Sequence, residues 1–167
     1  GSYVVELVDS FTYEEGSHVS LYDLILRTLT RLDQGDPTGI VLRVYELRLL
    51  DEVGFRPELF SCVECGEKIR EQDQYLSGPL GGVVCPTCAE KSPAVGGRFI
   101  TARTLKYLRH FQRTPYRQLQ SLLIPRALEE SLEETLQYYL THILERHLNS
   151  ADFMKRVRKL KEANPDS

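Results

Sequence analysis

The chain reads as a mainly α domain: a helical bundle interrupted by an inserted hairpin that four cysteines hold together. Three observations predict this. Apolar residues recur at helical spacing on both sides of residues 60–90. The only four cysteines of the 167-residue chain fall inside that interval, as two C-x-x-C pairs, Cys62/Cys65 and Cys85/Cys88. Hydrophobic residues make up 41% of the sequence, enough for a core that the insert alone could not supply.

Taken in order, residues 3–13 form an apolar-rich opening segment (Tyr3, Val4, Val5, Leu7, Val8, Phe11) that is expected to be helical. Residues 18–33 are a clearer helix. Leu21, Leu24, Ile25, Thr28, Leu29 and Leu32 share one face, Ser17 or Ser20 is placed to cap the start, and Gly35 marks the stop. Asp36-Pro37 opens a third helix as N-cap and first helical residue. Its buried stripe is Ile40, Val41, Val44, Leu47 and Leu50, with Gly54 and Pro57 ending it. Within the insert, 74–76 and 82–84 read as two short strands joined around Gly78-Pro79 and Gly81. Residues 92–97 read as a linker. Thr101 then caps a helix over 102–113, and Thr114-Pro115 restarts a short one carrying Arg117. A long helix is expected over about 126–148, with Asn149-Ser150 as a break before a last basic helix, about 151–162. The divisions are therefore 1–59 (N-terminal helices), 60–90 (insert), 91–162 (basic C-terminal helices of the same helical domain) and 163–167 (a disordered tail).

Paired C-x-x-C knuckles can wrap four thiolates around one tetrahedral Zn²⁺. Gly66 allows the tight turn of the first knuckle, and Pro86 presets φ in the second. Two disulfides are the competing arrangement, but no apolar leader marks the chain as secreted, and no run of apolar residues is long enough for a membrane span. A redox C-x-x-C would need one pair in a βαβ setting, which is missing. Four thiolates close the coordination shell, so the expected ion is a single structural Zn²⁺ held by Cys62, Cys65, Cys85 and Cys88. A unit this small buries too little to fold alone, and metal binding is expected to be coupled to its folding.

The formal charge of −3 hides an uneven distribution. Residues 91–128 contain Lys91, Arg98, Arg103, Lys106, Arg109, Arg113, Arg117 and Arg126 and not one carboxylate. Such a stretch in a net acidic chain is a candidate anion-binding surface; a solvated basic helix face is the competing reading. On a helical wheel from Arg103, Leu105, Leu108 and Phe111 fall between about 80° and 200°. Lys106, Arg109, His110 and Arg113 fall between about 240° and 340°. One face is core and the other cationic.

The remaining signals are weak. His18, His110, His142 and His147 lack the spacing of a second metal site, and Tyr138-Tyr139 reads as core. No nucleotide-binding glycine motif and no nucleophile elbow occurs, and no acid–base pair stands out, so no enzymatic activity is expected.

Phe55-Arg56-Pro57-Glu58-Leu59 before Cys62-Val63-Glu64-Cys65-Gly66, then Gly81-Gly82-Val83-Val84-Cys85-Pro86-Thr87-Cys88, resembles the zinc finger of the RecO family of bacterial recombination mediators. The Leu105-Lys106-Tyr107-Leu108 and Leu136-Gln137-Tyr138-Tyr139-Leu140 helices extend the likeness over roughly residues 3–160. The resemblance implies a role in DNA repair and recombination, in the nucleoid-associated cytoplasm. Its implied partners are single- and double-stranded DNA, RecR and the acidic, apolar C-terminal tail of single-stranded-DNA-binding protein, with RecA loading as the outcome. The family places an OB-fold before this region, and no barrel precedes Cys62 here. The chain thus looks like the C-terminal helical zinc-finger domain alone. Arg98, Arg103, Lys106, Arg109, Arg113 and Arg117 are the candidate contacts to DNA phosphates or to the tail. The alternative is a zinc-stapled protein-interaction module with no direct DNA binding.

Overall fold

A computed structural model describes residues 2–11, 19–93 and 97–163. The order is α1 (Ser2–Phe11), α2 (Val19–Asp33), α3 (Thr38–Glu52), β1 (Gln74–Ser77), β2 (Gly82–Val84), α4 (Pro86–Lys91), β3 (Arg98–Ile100), α5 (Ala102–Arg113), α6 (Tyr116–Leu119) and α7 (Arg126–Ala163). The mainly helical class with a small inserted antiparallel sheet is as the sequence predicts.

α3 is the axis of the bundle. Ile40, Val41, Val44, Tyr45, Leu47, Leu49 and Leu50 are all buried, because α2, α5 and α7 pack around it. A helix walled in on several sides must be apolar almost all round. Its two buried charged residues, Arg43 and Glu46, obey the rule for buried charge, which is pairing. Arg43 Nε lies 2.8 Å from Glu46 Oε2, and Arg43 Nη2 donates to Glu46 Oε1 at 2.9 Å. The Tyr3 hydroxyl on α1 donates to the same Oε1 at 2.6 Å. Gly54 at φ +83° ends the α3 segment in the left-handed region, as expected.

Several boundaries differ from the sequence reading. Pro37, not Asp36, is the N-cap of α3, and it supplies no side-chain bond. Asp36 instead accepts a bond from the Tyr116 hydroxyl at 2.6 Å, a tertiary claim that outbids the local cap. Ser20 lies inside α2, whereas Ser17 and His18 fall outside the described residues, as do residues 94–96 of the expected linker and 164–167 of the expected tail. The break at Asn149-Ser150 does not occur: α7 is one helix from Arg126 to Ala163. Asn and Ser are mediocre helix residues, but neither has the steric conflict of proline. The two expected strands are present, and β3 joins them in the order β2-β1-β3. Tyr75 pairs with Val84 on one side and Phe99 on the other.

α7 ties the bundle to the hairpin at two close approaches. At one, a Cβ on Gly39 of α3 would stand 1.5 Å from Glu129 Oε1. At the other, a Cβ on Gly78, in the β1–β2 turn, would stand 2.5 Å from the Cβ of His142. Between them the Tyr139 hydroxyl donates to the Phe55 carbonyl at 2.9 Å.

Candidate metal centre and cationic cleft

The two knuckles close on each other as the sequence predicts. The ligand atoms of Cys62, Cys65, Cys85 and Cys88 all lie within 4.8 Å of one another. A tetrahedral S₄ site with metal–sulfur bonds of ~2.3 Å needs sulfurs ~3.8 Å apart, and Cys65 Sγ and Cys85 Sγ are separated by 4.0 Å. The chain reaches this geometry by local means. Gly66, at φ +77°, turns the first knuckle and donates its N–H to the Cys62 carbonyl at 2.8 Å. Cys85 is the N-cap of α4 with Pro86 after it, which places Cys88 in the first turn of a helix that the sequence reading does not include. The Cys85 N–H points at Cys62 Sγ, 3.3 Å away.

The electrostatics show what the cluster lacks on its own. Burial opposes ionisation of Cys62, but backbone N–H groups of Cys65, Cys85 and Glu64 outweigh it and lower the thiol to about 7. Cys88 goes the other way, to about 12, chiefly through its bond with Cys85, with burial and the other two cysteines adding to it. One thiolate makes the next unfavourable unless a cation is shared among them. The donor set and its spacing therefore fit a tetrahedral thiophilic dication.

The same unit positions α5. Thr101 Oγ1 accepts from the Thr104 N–H at 3.1 Å, the expected cap. Asp73, beside β1, adds a second by accepting from the Ala102 N–H at 2.9 Å. Further along, Arg109 Nε donates to the Leu59 carbonyl at 2.8 Å and Gln112 Nε2 to that of Pro57 at 2.9 Å. At the C-terminal end Arg48 of α3 donates to the Gln112 and Thr114 carbonyls. Leu105, Leu108 and Phe111 are buried, so the wheel assigned the core face correctly.

The opposite face opens on a cleft of about 1010 Å³ between α5 and the knuckle unit. Arg103, Lys106, Arg109, His110 and Arg113 line one side. Phe60 and Glu71 line the other, with Tyr107 and Leu122 also contributing. Thus four of the six predicted cations come together. Arg98 is elsewhere: it is on β3, paired with Glu134 of α7, and lines a separate shallow groove with Tyr138 and His142. Arg117 is exposed on α6 and does not line the cleft. Nothing local in the sequence brings Phe60 and Leu122 to this place; tertiary packing does.

Among the described residues, Arg103, Lys106, Arg109 and Arg113 form no ion pair within 4.0 Å. Two of them crowd Phe60: the Arg113 Cζ stands 3.5 Å from its ring centroid and the Arg109 Cζ 5.0 Å. Burial, and then the charge of Arg113, make Arg109 less basic than an ordinary arginine; Glu71 and Glu58 work against this. The guanidinium stays charged, so the direction records chiefly its burial against the knuckle unit.

Comparison with known proteins adds ancestry to this geometry. The family model described as "Recombination protein O C terminal" matches residues 1–152. A DNA repair protein RecO of Roseiflexus sp. (strain RS-1) is 36% identical over 166 residues, 99% of this chain and 58% of the relative. One from Dehalococcoides mccartyi is 30% identical over 156 residues, 93% of this chain and 60% of the relative. One from Desulforudis audaxviator (strain MP104C) is 32% identical over 155 residues, 93% and 61%. The chain thus spans less than two thirds of the length of these curated relatives.

Proposed function

The chain belongs to the RecO family, whose C-terminal domain it carries, and from that membership in a DNA repair family we propose that its α5 cleft is a surface for binding DNA. The observation that carries the reading is the set of four cations, Arg103, Lys106, Arg109 and Arg113, on one wall without a carboxylate partner among the described residues. Phosphates supply what the cluster lacks. Contacts of this kind position a nucleic acid by charge and do not read its sequence.

The metal in this scheme is one structural Zn²⁺. Its four thiolate ligands leave no open position, and the chain's own contribution is to hold Leu59, Pro57 and Asp73 where they anchor α5. The domain acts as a mediator in recombination and not as an enzyme, serving with RecR to help load RecA in the cytoplasm. No described helix is long and apolar enough to cross a membrane.

A second reading is favoured by the apolar part of the same cleft. Phe60, Tyr107 and Leu122 beside Arg109 and Arg113 suit a peptide that ends in acidic and apolar residues, as the tail of single-stranded-DNA-binding protein does. The domain would then be a zinc-stapled docking module. Leu105, Leu108 and Phe111 are buried in the core, so the exposed apolar surface of the cleft comes mainly from Phe60, Tyr107 and Leu122.

A salt titration separates the readings. Affinity for an oligonucleotide, followed by fluorescence anisotropy, should fall steeply between 50 and 200 mM salt, with a log–log slope of about −3 if all four cations meet phosphates of a single strand. A flat profile, or no binding at low salt, would leave the docking reading.

A further inference from the structure

We propose that Arg113 and Phe60 form a stacking platform for an unpaired base, which gives the cleft a preference for single-stranded over duplex DNA. This rests on the DNA-binding reading above and goes beyond it, from phosphate charge to strand discrimination.

The first observation is geometric. At 3.5 Å from the ring centroid, the guanidinium carbon of Arg113 is in van der Waals contact with the face of Phe60. Arg113 is exposed, and among the described residues its guanidinium makes neither a hydrogen bond nor an ion pair. The ring is therefore what orients it. A guanidinium laid on a ring keeps its outer face bare, and a planar cation is a surface on which unstacked bases settle.

The second observation is rigidity. Phe60 is two residues before Cys62, and its backbone is held at both ends. Its N–H donates to Glu58 Oε1 at 2.7 Å, and its carbonyl accepts from the Ile69 N–H at 2.9 Å. The ring under Arg113 is thus carried on backbone held in place by the knuckle before any ligand arrives, which lowers part of the ordering cost of binding.

The third is placement. Arg103 and Lys106 lie in the same cleft toward the start of α5, about 15 Å and about 10 Å from Arg113 along the axis at 1.5 Å per residue. A flexible strand can lay phosphates on the first pair and turn a base onto Arg113. A duplex keeps its bases stacked inside and offers the cleft phosphates only.

The test uses the whole purified chain and three ligands of equal length: a thymine strand, the same strand with abasic sites, and a duplex. Wild type should bind the base-bearing strand about tenfold more tightly than the abasic one, in the lower part of the 1–3 kcal/mol range for base stacking on a side chain. Arg113→Lys keeps the charge and removes the plane. It should erase that gap, the base-bearing strand losing about tenfold in affinity and the abasic strand much less. Phe60→Leu should do the same if the knuckle folds; the exposed Arg113→Lys decides the matter if it does not. Equal weakening of all three ligands by Arg113→Lys would make Arg113 a point charge, sinking the platform while the DNA reading stands. Binding of an acidic peptide with an apolar end, and of no oligonucleotide even at low salt, would overturn both.

Discussion

Arg43 on α3 and Arg113 on α5 sit on helices that pack against each other, yet their surroundings are opposite. Arg43 is 4% exposed and meets both oxygens of Glu46, which is 1% exposed. Arg113 faces solvent over an aromatic ring, with no carboxylate paired to it among the described residues. In the core, each charge is answered from within the chain. Burial still pushes the Glu46 carboxyl above its ordinary range, despite Arg43 and Tyr3, so desolvation outweighs what those partners return. Along α5 no carboxylate pairs with the cleft cations within 4.0 Å among the described residues, and the site is open. The difference teaches how to sort cations in a fold of this size: a paired one specifies structure, and an unpaired one held rigidly is available to a ligand.

The contrast breaks most completely if the scaffold under α5 fails. Cys62→Ser should forfeit metal-binding free energy on the order of 10 kcal/mol that the unit uses to fold. The anchors at Leu59, Pro57 and Asp73 should then let go of α5. Heteronuclear NMR would show the insert and the α5 resonances lost together, with α1–α3 retained. A variant whose α5 signals stay in place would mean that the basic face stands without the metal.

Next in size is the core pair. Arg43→Met alone leaves the Glu46 carboxylate buried without its main partner and should cost about 3–5 kcal/mol in urea unfolding. Adding Glu46→Leu should recover most of that loss, because the second change removes the orphaned charge. If the double variant is as unstable as the single, the pair is contributing net stability, and the contrast drawn above is misplaced.

The smallest effects sharpen the cleft side. Arg103→Ala and Lys106→Ala should each change stability by no more than about 0.5 kcal/mol and reduce the salt slope of DNA binding by about one. Arg98→Ala is the control from the same carboxylate-free stretch of sequence. Arg98 is paired with Glu134 at the surface, so its loss should cost at most about 1 kcal/mol and leave the slope unchanged.

That control also marks what could be read from the chain. The cysteine knuckles, the Thr101 cap and the two faces of α5 were legible because each is encoded within a few residues. Arg98 looked equivalent to Arg103 in sequence, but Glu134 answers it across the fold. Phe60 gave no local signal of its part in the cleft, since its neighbours Arg109 and Arg113 lie about fifty residues on. α4 and β3 are too short for periodicity to reveal; one follows from Pro86 after a ligand cysteine, the other from pairing with β1.

The two close approaches along α7 make that helix a measuring rod. Glu129 fits over Gly39 in the bundle, and His142 fits over Gly78 in the hairpin. One residue inserted between 129 and 142 would turn one notch by about 100° relative to the other and shift it by about 1.5 Å. The helix between the two notches is continuous, so the error would fall on the Glu129 side chain and on the packing of His142 against Gly78. Loops elsewhere in the domain can lengthen or shorten as sequences drift, but this span must keep its length, and a deletion scan should find in it the least forgiving stretch of the chain.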